Sequence, residues 1–269
     1  MNKMSKKIIA AVVAVVLAVT MLCVFAACNG SEDKTDDSKF TLVVGLDASF
    51  PPYGYMENNE VVGFDIDLAK EVCKRNGWDF KAQPIDWDAK NFELNSGTIN
   101  CIWNGFTMTG REDEYTWSDP YVDNSQVVVV KADSGIESLK DLAGKTLIVQ
   151  TDSSAESAVN SEDLADFKAS LKQVDAVKDY NTAFLNLDGG SADAVAMDIG
   201  VAEYQIENRD GEYTILAEQL ATEQYGIGFK LGNTEVRDQV QAALDAMMAD
   251  GTYKQIAENW GVADSIITK

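Results

Sequence analysis

A strand and helix rhythm that runs along the chain twice is the feature that most limits its fold. In the first run, an apolar strand at residues 40–46 leads to a helix at 65–76 and a strand at 80–85. After a turn at 133–135 the rhythm begins again, and it includes an apolar strand at 146–150. Strands that alternate with helices pair in parallel and are covered by those helices. The sequence therefore predicts two α/β units of similar make with a cleft between them.

The N-terminus has the composition of an export signal. Lysines precede an apolar run at residues 8–27, in which Thr20 is the only polar residue, and Cys28 follows directly. We therefore expect a signal peptide at residues 1–27. Because the apolar run is just long enough to span a bilayer, an uncleaved anchor is the alternative. Residues 28–39 are polar and lack a hydrophobic anchor, which predicts a flexible tether.

Charge and histidine content exclude several classes of function. With 44 acidic and 22 basic residues, the net charge of −22 disfavours nucleic acid and anionic lipid surfaces as partners. The absence of histidine removes the commonest general base and the commonest transition-metal ligand. We therefore expect no metal site, no cofactor and no nucleic-acid partner. Cys73 on an apolar helix face and Cys101 on a strand are expected to be two buried thiols rather than a disulfide.

One arginine follows a strand that ends in polar residues. The apolar strand at 101–103 gives way to a stretch that contains Thr107 and ends at Arg111. An arginine close to hydroxyl groups is suited to bind a carboxylate, because the guanidinium presents a planar pair of donors. The alternative is a surface ion pair between Arg111 and Glu112 or Glu114.

Seven short motifs, distributed over the chain after residue 39, are typical of one protein family. They are LDASFPPY (46–53), VGFDIDLA (62–69), DWD (86–88), TMT (107–109), WSDPY (117–121), DAV (193–195) and DGTY (250–253). With these motifs the chain resembles the family 3 solute-binding proteins, which are amino-acid receptors of ABC importers. The resemblance implies a monomeric binding protein rather than an enzyme, with an ABC transporter permease as its partner.

A shorter resemblance concerns the end of the apolar run. Residues 25–28 (FAAC) are similar to the lipobox of bacterial lipoproteins, in which small residues precede a cysteine that receives lipid. This resemblance implies that Cys28 is the lipidation site and becomes the new N-terminus, with palmitate among its lipids. The protein would then be extracytoplasmic and anchored to the cell membrane by lipid.

The family resemblance also implies an architecture. It predicts an α/β, two-lobed, periplasmic-binding-protein-like fold, in which each lobe is a mostly parallel sheet flanked by helices. A two-strand hinge would join the lobes. Lobe 1 would comprise residues 40–125 and 222–269, lobe 2 would comprise residues 126–221, and the ligand would lie between them.

Ten residues match positions that bind the ligand in this family. They are Asp47, Phe50, Trp87, Asn104, Gly105, Thr107, Arg111, Ser153, Ser154 and Asp198. By this resemblance, Phe50 and Trp87 flank the ligand side chain and Asp47 lies near its far end. Arg111 would clamp the α-carboxylate and Asp198 would hold the α-ammonium. Judged without the resemblance, Trp87 could equally be a packing residue and Asp198 a helix N-cap.

The other five residues line the cleft in the family pattern. Asn104, Gly105 and Thr107 would form the floor of the first lobe. Ser153 and Ser154 would offer donors at the start of a helix, where an anion is favoured. Their alternative role is that of ordinary helix caps.

Two positions depart from the family pattern. Arg111 stands one place earlier than the family arginine, and Glu112 occupies the usual slot. We expect Arg111 to reach the site, because Gly110 can adopt backbone angles that are closed to other residues. The alternative is that Glu112 faces the ligand. Asp152 stands where a glycine is common and places a negative charge beside the expected carboxylate site.

The leading functional hypothesis is a lipoprotein that captures a polar L-amino acid and delivers it to a permease. Asp47 and the aromatic pair would suit a cationic or an amide side chain. One rival is a dehydratase-like enzyme that acts on small carboxylic acids in the same cleft, with Glu112, Asp47 or Asp198 as its acid or base. A second rival is a sensor whose closed form docks on a signalling partner.

Overall fold

The computed structural model of the protein describes residues 39–209 and 211–268. The predicted signal peptide at 1–27, Cys28 and the predicted tether up to residue 38 lie outside this part of the chain. Among the described residues, no helix is long and apolar enough to cross a membrane.

Strands and helices alternate along the described chain. The strands are β1 (Thr41–Leu46), β2 (Ser49–Phe50), β3 (Gly54–Glu57), β4 (Glu60–Val62), β5 (Asp79–Pro84), β6 (Cys101–Ile102), β7 (Thr116–Trp117), β8 (Val122–Lys131), β9 (Thr146–Gln150), β10 (Gln173–Val177), β11 (Ala194–Asp198), β12 (Tyr213–Ile215), β13 (Ala221–Tyr225) and β14 (Gly228–Phe229). The α-helices are α1 (Phe64–Asn76), α2 (Lys90–Ser96), α3 (Ser154–Val159), α4 (Ala165–Ser170), α5 (Tyr180–Gly189), α6 (Ile199–Glu207), α7 (Thr234–Asp250) and α8 (Thr252–Asn259).

Strands β2, β3 and β4 form a small antiparallel sheet, and the other strands form two mixed sheets, one in each lobe. The first has the order β5-β1-β6-β14-β7, and the second has the order β10-β9-β11-β8-β12 with β13 also paired to β8. In each mixed sheet three neighbouring strands are parallel, and the remaining pairs are antiparallel. Helices α1, α2, α7 and α8 pack in the first lobe, and α3 to α6 pack in the second. The predicted two-lobed α/β fold is confirmed, but the two sheets are mixed rather than mostly parallel, because β8 and β14 pair with their neighbours in antiparallel fashion.

Two long strands pass between the lobes as an antiparallel pair. In this pair β8 and β13 place Glu223 opposite Asn124 and Ala221 opposite Gln126. The predicted lobe borders, at 125/126 and 221/222, fall within this pair of strands. We keep the exact borders as a prediction, since β8 continues from one lobe into the other without a break.

Aromatic side chains fill the space where the lobes meet. Phe50 and Tyr180 lie 6.0 Å apart between ring centroids, and Tyr53 and Tyr225 lie 5.2 Å apart in an edge-to-face arrangement. All four belong to one buried apolar cluster that extends from the first sheet to the second. Aromatic side chains bury large areas and have preferred contact geometries, so this cluster fixes the lobes near the hinge.

The two cysteines of the described chain are buried thiols. Cys73 on α1 and Cys101 on β6 are both unpaired. The prediction of two buried thiols is confirmed. Burial raises the pKa of the Cys73 thiol to about 11, so this thiol is a packing group rather than a reactive one.

A buried carboxylate at the start of α1 supports the loop that follows β6. Asp65 is fully buried and accepts hydrogen bonds from the Gly105 amide at 2.7 Å and the Tyr121 hydroxyl at 2.9 Å. Burial raises the pKa of Asp65 to about 7. The residue before the helix must be glycine. At a φ of 138°, Gly63 passes so close to Tyr53 that a Cβ atom would lie 2.2 Å from the Tyr53 carbonyl oxygen. The GFDIDL motif therefore fixes the position of Gly105 through the carboxylate of Asp65.

We predict that Asp65 makes the free energy of unfolding depend on pH. Because its pKa is higher in the folded than in the unfolded chain, its stabilisation is complete at acidic pH and is lost as the pH rises towards 7. One such group changes the free energy of unfolding by at most about 1.4 kcal/mol per pH unit. Urea unfolding of ligand-free protein at pH 5 to 8 should show a shallower pH dependence for Asp65→Asn. The exposed control Asp163→Asn should keep the wild-type slope, and an unchanged slope in Asp65→Asn would contradict the prediction.

Candidate functional site

A narrow cavity lies between the two lobes beside the hinge. It is lined by aromatic rings, hydroxyls and charged groups from both lobes, namely Phe50, Trp87, Gly105, Phe106, Thr107, Arg111, Gln150, Ser153, Ser154 and Asp198. All of the predicted ligand-binding residues except Asp47 and Asn104 are among them. Its volume of about 20 Å³ is close to that of one water molecule. A larger molecule enters only if the lobes move apart.

Two wider hollows border the hinge strands. One has a volume of about 340 Å³ and includes Glu203 and Tyr204, and the other has a volume of about 620 Å³ and includes Asn124 and Glu223. Neither combines a guanidinium with a buried carboxylate and aromatic rings. The narrow cavity is therefore the better candidate site despite its size, because its groups match a small charged ligand.

Asp198 forms the hinge-side end of the cavity. It is the last residue of β11 and is 4% exposed. Its Oδ1 atom accepts hydrogen bonds from the Asn124 amide at 2.7 Å, the Gln126 amide at 2.8 Å and the Tyr225 hydroxyl at 2.7 Å. Burial, and then the nearby charge of Glu223, raise the pKa of Asp198 to about 7. Asp198 occupies the N-cap position of α6, but its side chain makes no capping hydrogen bond to that helix.

Glu223 lies beside Asp198, on the second hinge strand. The same Asn124 and Gln126 amides donate to its Oε1 atom, at 2.6 and 2.8 Å. The Thr107 hydroxyl also donates to Oε1, at 2.8 Å, and the Ser154 hydroxyl donates to Oε2. Two carboxylates are thus held side by side by shared amide donors.

Arg111 lies at a different part of the cavity wall. Its Nη1 atom donates to the Thr107 carbonyl at 3.1 Å, and its guanidinium lies 5.4 Å from the centroid of the Phe106 ring. Gly110 has a φ of 81°, which turns the chain as expected. Glu112 is exposed and accepts from the Gly110 amide at 3.0 Å. Among the described residues Arg111 makes no ion pair within 4.0 Å, so the surface-pair explanation is wrong.

Aromatic rings form the apolar part of the wall. Phe50 is buried near the hinge, and Trp87 packs edge-to-face on Phe106 with 5.5 Å between centroids. The Lys90 ammonium lies 5.0 Å from the centroid of the Trp87 ring. Trp87 therefore both packs and faces the cavity.

Asp47 and Asn104 lie one layer behind the cavity. The Asn104 side-chain oxygen accepts from the Asp47 amide at 2.8 Å, which fixes the loop after β1. Asp47 in turn accepts from the Gln150 amide at 2.7 Å, and Gln150 lines the cavity. Burial raises the pKa of Asp47. The structure thus places Asp47 behind Gln150, which it contacts across the boundary between the lobes.

The two serines have different partners. Ser153 is the N-cap of α3, and its hydroxyl accepts from the Glu156 amide at 3.1 Å. The capping explanation is therefore correct for Ser153. Ser154 instead directs its hydroxyl towards Glu223.

A buried lysine joins the lobes beside Trp87. Lys90 is 2% exposed, and its ammonium contacts the Asp152 carboxylate and donates to the Asp152 carbonyl at 3.2 Å. Burial lowers the pKa of Lys90. Asp152 has a φ of 56°, in the left-handed region. A second ion pair between the lobes, Asp86 with Lys178 at 2.5 Å, is exposed to solvent.

Several residues of the site escaped the sequence analysis. They are Asn124, Gln126, Gln150, Phe106, Lys90, Tyr225 and Glu223. A signal was present for two of them, because Asn124 and Gln126 are amides just before the apolar run 127–130 of the hinge strand. Gln150 also ends a fully buried strand. Glu223 gave no such signal, since it lies in the polar stretch ATEQY.

Known proteins share this architecture. The model of the bacterial extracellular solute-binding proteins, family 3, matches residues 42–263. The arginine-binding extracellular protein ArtP of Bacillus subtilis (strain 168) is 28% identical over 237 residues, which cover 87% of this chain and 91% of ArtP. An ABC uptake transporter substrate binding protein from Streptococcus pneumoniae, solved with bound histidine, is 32% identical with a TM-score of 0.79 and covers 82% of this chain and 92% of its own.

A second similar structure is that of a precursor of an enzyme. It is the ancestral amino acid-binding protein AncCDT-1, a precursor of cyclohexadienyl dehydratase, with 30% identity, a TM-score of 0.74 and coverage of 82% of this chain and 95% of its own. The family match spans both lobes and every cavity-lining residue. The chain belongs to the bacterial extracellular solute-binding proteins, family 3.

Proposed function

We propose that this protein binds a polar L-amino acid between its lobes and delivers it to the permease of an ABC transporter. We further propose that it is an extracytoplasmic lipoprotein, cleaved before Cys28 and held on the cell membrane by lipid on that residue. The monomer is the expected working form.

The observation that carries the proposal is the charge arrangement of the cavity. A carboxylate, Asp198, lies at the hinge side, and a guanidinium, Arg111, lies on another part of the wall. An α-amino acid carries an ammonium and a carboxylate, so it complements both groups at once. Charge-assisted hydrogen bonds contribute about 1.5 to 3 kcal/mol each. A few of them supply most of the roughly 8 kcal/mol that micromolar affinity requires.

The ligand side chain would lie against the aromatic part of the wall. Phe50 and Trp87 flank this part, and Gln150 offers an amide beside it. Asp47 acts from behind through Gln150. This environment suits a cationic or an amide side chain, because the rings attract a cation and the amide can donate or accept.

Capture requires that the lobes move. The cavity is too small for an amino acid while the lobes are in contact. Two strands connect the lobes, and the other contacts between them near the cavity include hydrogen bonds, ion pairs such as Lys90 with Asp152, and the packing of Phe50 on Tyr180. Opening would break these contacts and ligand binding would replace them, which is a hinge motion.

One observation favours the enzyme alternative. A carboxyl group with a pKa near 7, as in Asp198, can act as a general acid or base at neutral pH. AncCDT-1 also links this architecture to a dehydratase, because it is a precursor of cyclohexadienyl dehydratase. The donors around Asp198 bind its carboxylate form, however, and the family is one of binding proteins. We therefore favour binding without chemical change.

Calorimetry against the twenty proteinogenic L-amino acids tests this function. We expect micromolar or tighter binding for at least one polar amino acid. Mass spectrometry of the recovered ligand should show the same compound after prolonged incubation. Recovery of a dehydrated product would support the enzyme instead, and no binding by any amino acid would refute the proposal.

We predict that Arg111 rather than Glu112 clamps the α-carboxylate. Arg111→Lys should weaken binding of the tightest amino acid about tenfold or more, because a point charge does not replace a bidentate fork. Glu112→Gln should change the affinity less than threefold, since Glu112 is exposed. Calorimetry on both variants checks this. Normal affinity in Arg111→Lys together with a large loss in Glu112→Gln would reverse the assignment.

We predict that the Lys90–Asp152 pair holds the lobes together. Asp152→Asn leaves the buried Lys90 ammonium without its half-exposed carboxylate partner, which is unfavourable unless the lobes separate and hydrate the ammonium. The radius of gyration of ligand-free protein in X-ray scattering should therefore increase. Asp86→Asn is the matched control, because it removes the exposed pair with Lys178 and should have no effect. Equal radii for all three proteins would contradict the prediction.

A further inference from the structure

Glu223 holds one hydroxyl from each lobe. Its side chain is 7% exposed and lies on hinge strand β13. Thr107 of the first lobe donates to Oε1 at 2.8 Å, and Ser154 of the second lobe donates to Oε2. Both hydroxyls line the cavity, whereas Glu223 does not. Glu223 is thus placed to act on the cavity through these two groups.

The chemistry of the two hydroxyls determines the direction in which their hydrogen atoms point. An ionised carboxylate only accepts hydrogen bonds, and a hydroxyl has a single hydrogen to donate. The hydrogens of Thr107 and Ser154 are therefore directed to Glu223. What remains for the cavity is the lone pairs of their oxygen atoms, which can only accept.

The other side-chain donors near Asp198 and Glu223 are also engaged in hydrogen bonds. The Asn124 side-chain nitrogen donates to both Asp198 and Glu223, and the Gln126 side-chain nitrogen does the same. Each amide has two N–H groups, so both are fully engaged. The Tyr225 hydroxyl donates to Asp198. No side-chain hydrogen of these five groups is left for a ligand.

No cationic side chain balances the two carboxylates. Among residues 39–209 and 211–268, neither Asp198 nor Glu223 has a lysine or arginine nitrogen within 4.0 Å. The repulsion between them contributes to the raised pKa of Asp198. A buried pair of like charges is stabilised by a cation that enters beside it.

We infer that Glu223 is a positioning residue that selects the ligand ammonium. It orients the Thr107 and Ser154 hydroxyls so that, together with Asp198, they present three acceptors to the three N–H groups of an ammonium. This inference rests on the proposed function, and it reverses the expected role of Ser154 from donor to acceptor. An α-hydroxyl has only one hydrogen and would direct its lone pairs at acceptors, so the same wall rejects it.

The test compares each amino acid with its α-hydroxy counterpart. The probes are the L-amino acid that binds wild-type protein most tightly in the panel of twenty and the α-hydroxy acid with the same side chain. Wild-type protein should prefer the amino acid by about a hundredfold or more, since an unpaired polar group strongly disfavours an analogue. Glu223→Gln, whose amide can donate to the two hydroxyls and lets them rotate, should reduce this preference at least tenfold.

The split between the two probes separates positioning from a merely structural effect. In Glu223→Gln the affinity for the amino acid should fall, while that for the hydroxy acid should stay within threefold or rise. The control Glu235→Gln removes an equal charge from an exposed helix position and should change neither. Equal losses for both probes in Glu223→Gln would overturn the inference while leaving the proposed function intact. Absence of amino-acid binding by wild-type protein would instead refute the proposed function, and the inference with it.

A second set of variants leaves Glu223 in place. Thr107→Val and Ser154→Ala each remove one oriented hydroxyl and should each reduce the preference for the amino acid. Combined with Glu223→Gln, Thr107→Val should cost less than the sum of the two single effects, because both act through one hydroxyl. If Glu223→Gln does not fold, the preference for the amino acid over the hydroxy acid in the two hydroxyl variants is the deciding measurement. An unchanged preference in both would overturn the inference.

Discussion

The two carboxylates at the hinge, Asp198 and Glu223, are the constraint on which the rest of the site depends. Burying an ionised carboxylate is costly unless hydrogen bonds and countercharges compensate. Here the Asn124 and Gln126 amides of β8 supply the hydrogen bonds to both. The same bonds tie β8, β11 and β13 together, and Thr107 and Ser154 extend them to the two lobes. Moving the lobes and exposing the carboxylates are therefore coupled events.

Two further buried carboxylates, Asp65 and Asp47, lie behind the cavity and stabilise the residues that form its wall. Asp65 faces an amide and a hydroxyl from the loop that it holds, and burial raises its pKa to about 7. Asp47 serves Gln150 in a similar way. These two groups lie behind the cavity, so no ligand can compensate their desolvation. Asp198 differs because it lines the cavity, where a ligand cation can reach it. The location of a buried acid therefore determines whether a ligand charge could compensate its desolvation.

The sequence predicted the fold and the strand-end residues of the site, but not its interior contacts. Helix α1 lies within one residue of its predicted position, and Asp198 and Arg111 line the cavity as their places after strands suggested. Asn104 was expected on the floor, yet its amide is directed at the backbone of Asp47. Glu223 lies in the polar stretch ATEQY, which gave no signal that this side chain would be buried. Only the pairing of β13 with β8 turns it inwards, and periodicity along one strand carries no information about such a partner.

At the two positions that depart from the family pattern, the backbone conformation accommodates the changed side chain. Asp152 stands where a glycine is common, and it keeps a glycine-like left-handed backbone with a φ of 56°. Asp tolerates this region better than most residues, so the loop can retain its course. The added carboxylate contacts Lys90, whose buried ammonium would otherwise lack a countercharge. Arg111 is likewise accommodated by Gly110, at a φ of 81°. In both places a backbone conformation that is rare for most residues preserves the cavity, and a charged side chain takes a new position.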